Sequence, residues 1–386
     1  MSLIVLMKDK KIIVLHIINK MDRAGAETFI MNVMRAIDPS RFCFRFLVKT
    51  NNIGQFDDEI LKLGGEIYHI KRFNGINYFS YIKSLKRIFM EHPEIDIVHS
   101  HQGSSAYIDL KISKSYGKKT IAHSHSTFLN NFLNVKELLF KIVSFGTRFI
   151  ADYYIGCSQK ALFSRYGKNI SKKKKTKIIN NGININKYRF SYGKRMSYRN
   201  RMGISENSLV FLFIGRLIDI KNPIFALSIF KEIYMINKNV SIIFAGSGPL
   251  SVDIQNRING TEIQQNVYLV GNIDNVDELL SAGDCLLMTS LKEGFPVTLV
   301  EAQCSSINCL VSDCVTREVV LSNKIGFYSI NKNNSIKQWV NAISLLDFSI
   351  KNRSDVSNKM IDFSDERVAA NVEAVYCELM QGENNE

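Results

Sequence analysis

Short apolar runs that alternate with amphipathic helical stretches leave this chain few folds to adopt. In the first half the runs are Ile12–Ile18, Phe42–Val48, Ile67–Ile70, Ile95–Val98, Thr120–His123, Tyr153–Ile155 and Lys177–Ile179. Stretches of helical period lie between them, among them Glu27–Ala36, Tyr78–Glu91 and Val135–Phe149. Strands that are apolar throughout are buried on both faces, and strands separated by helices pair in parallel. A polar, basic stretch, Asn184–Asn207, breaks the pattern and reads as a linker. The alternation then restarts with Leu209–Ile214, Ser241–Ala245, Val267–Val270, Cys285–Met288 and Cys309–Val311. The expected fold is α/β: two doubly wound, Rossmann-like domains over residues 1–188 and 189–361. An amphipathic helix within 362–386 is expected to pack back towards the first domain. Open parallel sheets bind ligands at the carboxyl ends of their strands, so two such domains are expected to face each other across a cleft.

Charge narrows the partners. Residues 1–190 hold 32 Lys and Arg against 14 Asp and Glu, whereas residues 191–386 hold 18 against 22. The whole net charge of +14 therefore belongs to the first half. Such a half suits an anionic membrane or a phosphate-bearing partner. Lys172–Lys175 and the mixed apolar and basic stretch Phe128–Phe149 are its candidate docking elements. Nucleic acid is the alternative partner, but the second half is acidic and no motif interleaves aromatic and basic residues for stacking bases. Met1–Met7 lacks the ordered regions of a secretion signal, and no run of apolar residues is long enough to span a bilayer. Seven scattered cysteines without a Cys-x-x-Cys pair indicate a reducing compartment. The expected location is cytoplasmic, peripheral at the inner face of the plasma membrane.

The motifs that carry chemistry fall just after strands of the second half. Lys292–Glu301 follows the strand ending near Met288 and opens a helix close to Pro296. Free N–H groups of Phe295, Val297 and Thr298 at such a start can hold a pyrophosphate. Glu301 lies one helical turn beyond Val297 on the same face and can accept ribose hydroxyls, while Glu293 and Gly294 sit on the loop. The plainer reading is a capped helix with two solvated carboxylates. Gly215-Arg216 and Lys221-Asn222 follow another strand, where a planar guanidinium and a compact ammonium can offset charge on a departing diphosphate. Gly246-Ser247-Gly248 and Gly271 end two further strands, where small residues admit a ligand close to the backbone.

Taken together, Gly215-Arg216, Lys221-Asn222, Ala245-Gly246-Ser247-Gly248-Pro249-Leu250 and Glu293-Gly294-Phe295-Pro296 with Glu301-Ala302 resemble glycosyltransferase family 4. This is a retaining family of the GT-B fold, and the resemblance extends to its E-x7-E element at Glu293 and Glu301. Thr316–Val319 is similar to the exopolysaccharide and capsule branch. The resemblance implies a nucleotide-sugar donor in the second domain and an acceptor in the first, and the acceptor is expected to be a lipid-linked glycan. It assigns Arg216 and Lys221 to the diphosphate, Glu301 to the ribose and Glu293 to the transferred sugar. Arg23-Ala24-Gly25-Ala26-Glu27 resembles the family's Gly-Gly-Ala-Glu loop, with Ala24 in place of the first glycine and Gly25 keeping the second.

Four of the seven histidines lie in two strand-end patches, His99-Ser100-His101 and His123-Ser124-His125. Alternate spacing sends both members of a pair to one face. Zinc binding is one reading, and packing with satisfied hydrogen bonds is the plainer one. The resemblance places His125, with His123 as fallback, beside the transferred sugar as a hydrogen-bonding group and not as a nucleophile. No Asp-x-Asp pair occurs. The expectation is a transferase with no metal and no cofactor beyond its donor; the alternative within the same fold is a sugar-nucleotide epimerase.

Overall fold

The apolar runs become strands of two all-parallel sheets in the computed structural model, which describes residues 11–103, 105–125, 145–331, 333–353 and 357–381. The first sheet comprises β1 (Ile12–Ile18), β2 (Phe42–Val48), β3 (Glu66–His69), β4 (Ile97–Ser100), β5 (Lys119–Ser124), β6 (Tyr153–Gly156) and β7 (Lys175–Ile178). Its order is β3-β2-β1-β4-β5-β6-β7. The second comprises β8 (Leu209–Ile214), β9 (Val240–Ala245), β10 (Val267–Gly271), β11 (Cys285–Met288), β12 (Asn308–Ser312) and β13 (Ile325–Tyr328), in the order β10-β9-β8-β11-β12-β13. Both are doubly wound, as the alternation requires: the first strand lies inside the sheet and the chain winds outwards from it on both sides.

Each sheet sits in its own unit, Met1–Gly182 with Asp365–Glu386, and Ile183–Ser364. Residues 183–188, expected in the first domain, thus belong to the second unit, and so do 362–364, expected with the last helix. Strand β1 shows how the first unit's core is divided. Val14 and Ile18 join the cluster under the Gly25–Ala36 and Asp365–Gln381 helices. Leu15 and Ile17 join Leu85, Ile88 and Phe89 of the Tyr78–Glu91 helix on the other face. Val368, Val372 and Tyr376 anchor the last helix to the first cluster.

The supposed linker departs most from its sequence reading. Tyr192–Met202 is a helix capped by Ser191 and ended by Gly203 in the left-handed region, and it buries Arg195, Tyr198 and Arg199. Its polarity disguised a packing face because these arginines are buried with partners. Asp284 accepts from Arg195 (2.8 Å) and Arg199 (2.7 Å) and from the Val210 N–H (2.8 Å). Arg199 also donates to the carbonyls of Ala282, Ser205, Glu206 and Ser208. Asp284 thereby ties this helix to the start of β8 and the approach to β11. The helix expected at Val135–Phe149 lies outside the described residues up to 144; residues 145–150 are helical.

Removing a buried carboxylate strands its cations. Asp284→Ala is expected to lower the unfolding free energy by about 3–5 kcal/mol. Urea unfolding followed by fluorescence checks this; a loss under about 1 kcal/mol would show that the arginines are held by carbonyls alone.

Candidate functional site

A strand order that reverses leaves a crevice between the two strands at the reversal. In the second unit that point lies between β8 and β11, and the motifs sit on its two sides. Arg216 and Lys221 follow β8, and Glu293 to Val297 follow β11. The loops are laced together by their backbones. Gly215 N–H donates to Ala245 C=O (2.9 Å), Leu217 N–H to Ser247 C=O (2.9 Å) and Gly246 N–H to Gly271 C=O (2.7 Å). Across the reversal, Leu291 N–H donates to Ile220 C=O (2.8 Å) and the Thr289 hydroxyl to Asn222 C=O (2.8 Å).

This lacing is why glycine occupies Gly246 and Gly248. A Cβ at Gly246 would lie 2.0 Å from the Gly215 carbonyl oxygen, and one at Gly248 would lie 2.3 Å from that of Leu217. Both residues have positive φ, 136° and 159°. Gly215 and Gly271 also have positive φ, and the nearest atom to a Cβ at Gly215 is 3.9 Å away on Lys221.

The charged groups converge on the same crevice. Lys221 Nζ donates to Glu293 Oε1 (2.6 Å), and Ser290 Oγ donates to the same oxygen (2.6 Å). The Glu293 side chain is largely buried and Lys221 about one quarter exposed. Arg216 is exposed. The helix that follows runs Val297–Cys304 with Pro296 at its cap, so proline stands one residue before the first helical position. Leu299 N–H turns back to Pro296 C=O (3.0 Å), which leaves the N–H groups of Val297 and Thr298 at an end with no side-chain cap. Glu301 lies one turn down this helix, partly buried. Phe295, expected as a backbone donor, also serves the packing, because its ring is buried and stacks on Phe363 at 6.0 Å and 9°.

In the first unit the reversal lies between β1 and β4. The Gly25–Ala36 helix starts there, and its cap residue Ala24 is extended (φ −135°, ψ 175°) with no side-chain cap. Nothing in that backbone demands glycine at Ala24. Gly25 has no side-chain neighbour closer than Asn181 Nδ2, 3.8 Å from where its Cβ would stand. Burial pushes the Glu27 carboxyl of this first turn up from its ordinary value.

Beside it stand five histidines, one more than the two patches supplied. His16 of β1 shares a face with Val14 and Ile18, and its lone place in an apolar strand was the signal that could have revealed it. His16 Nδ1 meets His101 Nε2 at 3.0 Å, and His101 Nδ1 meets His125 Nε2 at 2.7 Å. A second file runs from Tyr376 Oη to His99 Nδ1 (2.8 Å) and from His99 Nε2 to His123 Nδ1 (3.2 Å). The rings stack, His123 on His125 at 3.9 Å and His99 on His101 at 4.3 Å. Ring nitrogens of His16, His99 and His101, and of His101, His123 and His125, lie within 4.8 Å of one another. A zinc ion holding two nitrogens at about 2.0–2.1 Å in tetrahedral geometry keeps them about 3.3 Å apart. The 2.7–3.0 Å spacings and the stacking are those of hydrogen-bonded rings. Among the described residues His16 Nε2, His123 Nε2 and His125 Nδ1 are buried without a hydrogen-bond partner. Burial pushes all five imidazoles down, His16 and His125 to about 3.

Residues 23–187 match Glycosyltransferase Family 4 and residues 194–360 match Glycosyl transferases group 1. This chain is a glycosyltransferase of the GT-B fold. The putative glycosyltransferase EpsF of Bacillus subtilis is 27% identical over 79% of this chain and 80% of its own. The capsular polysaccharide biosynthesis glycosyltransferase CapH of Staphylococcus aureus is 28% identical over 77% and 80%. The UDP-Gal:alpha-D-GlcNAc-diphosphoundecaprenol alpha-1,3-galactosyltransferase of Escherichia coli is 24% identical over 70% and 71%. The structure of HepE from Anabaena in complex with UDP superposes with a TM-score of 0.76, at 15% identity, covering 96% of this chain and all of that one. The fold expected from the alternation is thus the one found.

The transferase brings Arg216, Lys221 and the stretch from Glu293 to Val297 to the reversal between β8 and β11, keeps Gly246, Gly248 and Gly271 at the neighbouring ends of β9 and β10, and brings Gly25, His123 and His125 to the corresponding end of the first unit. Sequence reasoning missed His16, Tyr376 and the Ser290 bond to Glu293. Tyr376 lies 277 positions from His99, too far for any local pattern to pair them.

The buried imidazoles give stability a definite pH sign. Unfolded histidines protonate as pH falls through about 6.5, whereas His16, His99 and His123 stay neutral in the folded enzyme. Their contribution is complete above that value and is lost below it, by roughly 2 kcal/mol per imidazole at pH 5. Urea midpoints at pH 7.5 and 5 are expected to fall together with pH, and His99→Gln is expected to shrink the difference. An undiminished difference in the variant would assign the effect elsewhere.

Proposed function

We propose that this glycosyltransferase retains anomeric configuration and moves a sugar from a nucleoside-diphosphate sugar to a hydroxyl of a lipid-linked glycan, in surface polysaccharide synthesis. The observation that carries the reading is the convergence of Arg216, Lys221, Glu293 and the uncapped start at Val297 on one reversal point. Cations and free N–H groups at a strand-end crevice suit a diphosphate, and a buried carboxylate on the facing loop suits sugar hydroxyls. The UDP named for HepE, the capsular polysaccharide named for CapH and the diphosphoundecaprenol acceptor named for the Escherichia coli relative support the same chemistry.

On this reading Arg216 and Lys221 take up the charge that grows on the leaving diphosphate, so no metal is called for there. Glu293 now holds Lys221 through the 2.6 Å pair; an arriving phosphate replaces that carboxylate on the ammonium and frees it for the sugar. Gly246, Gly248 and Gly271 keep the loops low enough for a ligand to approach, and Glu301 takes the ribose. The acceptor oxygen bonds to the anomeric carbon as the bond to the phosphate oxygen breaks, on the same face, and the acceptor proton passes to that phosphate. No enzymic nucleophile is then needed. His125, neutral at pH 7, is assigned to hydrogen-bond a sugar hydroxyl. Among the described residues no helix is long and apolar enough to cross a membrane. On this reading the enzyme works in the cytoplasm, peripheral at the inner face of the plasma membrane through its basic first half.

Acceptor-dependent release of nucleoside diphosphate tests the site. Arg216→Ala and Lys221→Ala are each expected to lower turnover by about 10²–10³ with the fold intact; unchanged turnover would remove both from the site. Turnover without any acceptor would favour the epimerase, and an inverted product anomer would end the retaining assignment. Full activity in EDTA is expected. Glu293→Gln, which releases Lys221, is expected to keep or tighten free nucleoside diphosphate binding by calorimetry while turnover falls about tenfold or more. Binding and turnover falling together would make Glu293 a structural partner of Lys221 only.

A further inference from the structure

Between Glu66 and Glu91 the chain carries five basic residues and no acidic one: Lys71, Arg72, Lys83, Lys86 and Arg87. All five are exposed. They surround large apolar side chains that no described element covers, with Ile76 94% exposed, Phe79 85% and Met90 63%. On the Tyr78–Glu91 helix Phe79, Lys83, Lys86, Arg87 and Met90 recur at helical spacing along one stripe, while Tyr81, Leu85, Ile88 and Phe89 fill the core from the opposite side. The loop before the helix is built to hold its apolar tip outwards. Asn74 Oδ1 accepts from the N–H groups of Ile76 and Asn77, both at 3.0 Å, and Asn77 Oδ1 accepts from the Asn74 N–H at 2.9 Å. Gly75 supplies the positive φ, 94°, that turns the chain there.

We propose that this loop and helix face dock the enzyme on an anionic lipid bilayer, with Ile76 and Phe79 entering the headgroup boundary and the five cations meeting lipid phosphates. A patch that is apolar at its tip and basic around it suits a surface that is apolar beneath an anionic layer. The same charge repels a second copy of the chain. Arg87 also pairs with Glu91 at 3.6 Å, an exposed contact that leaves the patch strongly positive. The position is useful as well. The loop leaves the carboxyl end of β3, the end of the sheet that carries Gly25 and the histidines. Strands β2 and β1 lie between β3 and β4, about 14 Å at the usual spacing. A bilayer docked there holds an acceptor near the histidine end while the acceptor keeps its lipid anchor. The docking site is therefore not the Lys172–Lys175 run, which offers charge without an apolar tip. The proposal rests on the lipid-linked acceptor reading for its purpose and not for its measurement.

Co-sedimentation of the full-length enzyme with vesicles of phosphatidylglycerol and phosphatidylcholine, against phosphatidylcholine alone, tests it. Binding is expected only with the anionic lipid. Ile76→Ser with Phe79→Ser, and separately Lys83→Gln with Lys86→Gln and Arg87→Gln, are each expected to weaken it about tenfold or more. Lys172→Gln with Lys174→Gln is expected to leave it within about twofold. Unfolding temperature and nucleoside diphosphate binding serve as fold controls and are expected to hold in every variant. Binding that survives the apolar pair, is lost with the Lys172 and Lys174 pair, or is absent from the parent enzyme overturns the proposal. So does self-association that the apolar pair abolishes without vesicles present. Vesicle binding as expected in an enzyme that transfers no sugar to a lipid-linked acceptor would sink the proposed acceptor reading and leave the docking face standing.

Discussion

Helices cover both faces of each parallel sheet, so neither β1 nor β8 can meet a ligand except at a strand end. A parallel pair needs a crossover, the crossover is a helix, and that helix must bury its apolar stripe on the sheet it has just left. The carboxyl ends of all strands then lie on one side, and the loops that leave them are the only segments free to vary. Where the winding reverses, at β1 and β4 or at β8 and β11, the loops on the two sides diverge and leave room. Gly25, Arg216, Lys221 and Glu293 all follow from that one geometric fact. Their positions are set by strands that are mostly core, with His16 of β1 among the exceptions that reach the site.

The two reversal points are furnished differently. In the second unit the backbones close in on one another, and Gly246 and Gly248 are required because a carbonyl stands where a Cβ would go. The approach uses up N–H groups loop against loop and holds Lys221 and Glu293 within one hydrogen bond. In the first unit the backbones are laced as well, Lys49 N–H to Asn19 C=O and Phe56 N–H to Met21 C=O, but imidazoles fill the strand ends. Ten ring nitrogens are brought together and seven find partners, because hydrogen bonds between rings and to Tyr376 take up all but His16 Nε2, His123 Nε2 and His125 Nδ1. Neutral imidazoles are a workable filling only because each ring can be donor and acceptor at once. The last helix, which returns from beyond the second unit, supplies Tyr376 to this arrangement, so the first unit's site is complete only when the chain's end has come home.

What could be read from the sequence was what local period records. The Tyr78–Glu91 helix and β1, β2, β8 and β11 stand where the pattern put them, because each has enough apolar residues at one period to exclude the other. Strand β13 escaped because Ile325–Tyr328 is four residues long and half-buried throughout. The helix at Tyr192–Met202 escaped for a different reason: its buried face is made of arginines whose partners, Asp284 and the carbonyls around it, lie far along the chain. A charge that is buried with its counter-charge leaves no hydrophobic signature. The candidate site was legible where a residue type is chemically uncommon at a strand end, as with Arg216, Glu293 and the paired histidines. It was illegible where a residue acts through a partner, as Ser290 does through Glu293.

The uneven charge of the two halves has a physical counterpart in how each unit treats its cations. The second unit takes Arg195, Arg199 and Arg353 into its interior and satisfies them with Asp284 and backbone carbonyls, so they project little field into solvent. That unit is close to neutral, with 19 Lys and Arg against 16 Asp and Glu over Ile183–Ser364, and at its reversal point the exposed Arg216 and the half-screened Lys221 remain. A diphosphate approaching it meets little long-range attraction and is selected mainly within a Debye length, about 8–10 Å, of those two groups. The first unit does the reverse. Apart from Lys49, buried against Asp109, and the largely buried Arg45, many of its cations stand on exposed faces, as Lys83, Lys86 and Arg87 do, where they sum to a field that reaches beyond any single contact. On this reading the small soluble donor is recognised at short range and the large anionic surface at long range. That division requires the excess charge to be kept away from the donor loops, which is where the sequence keeps it.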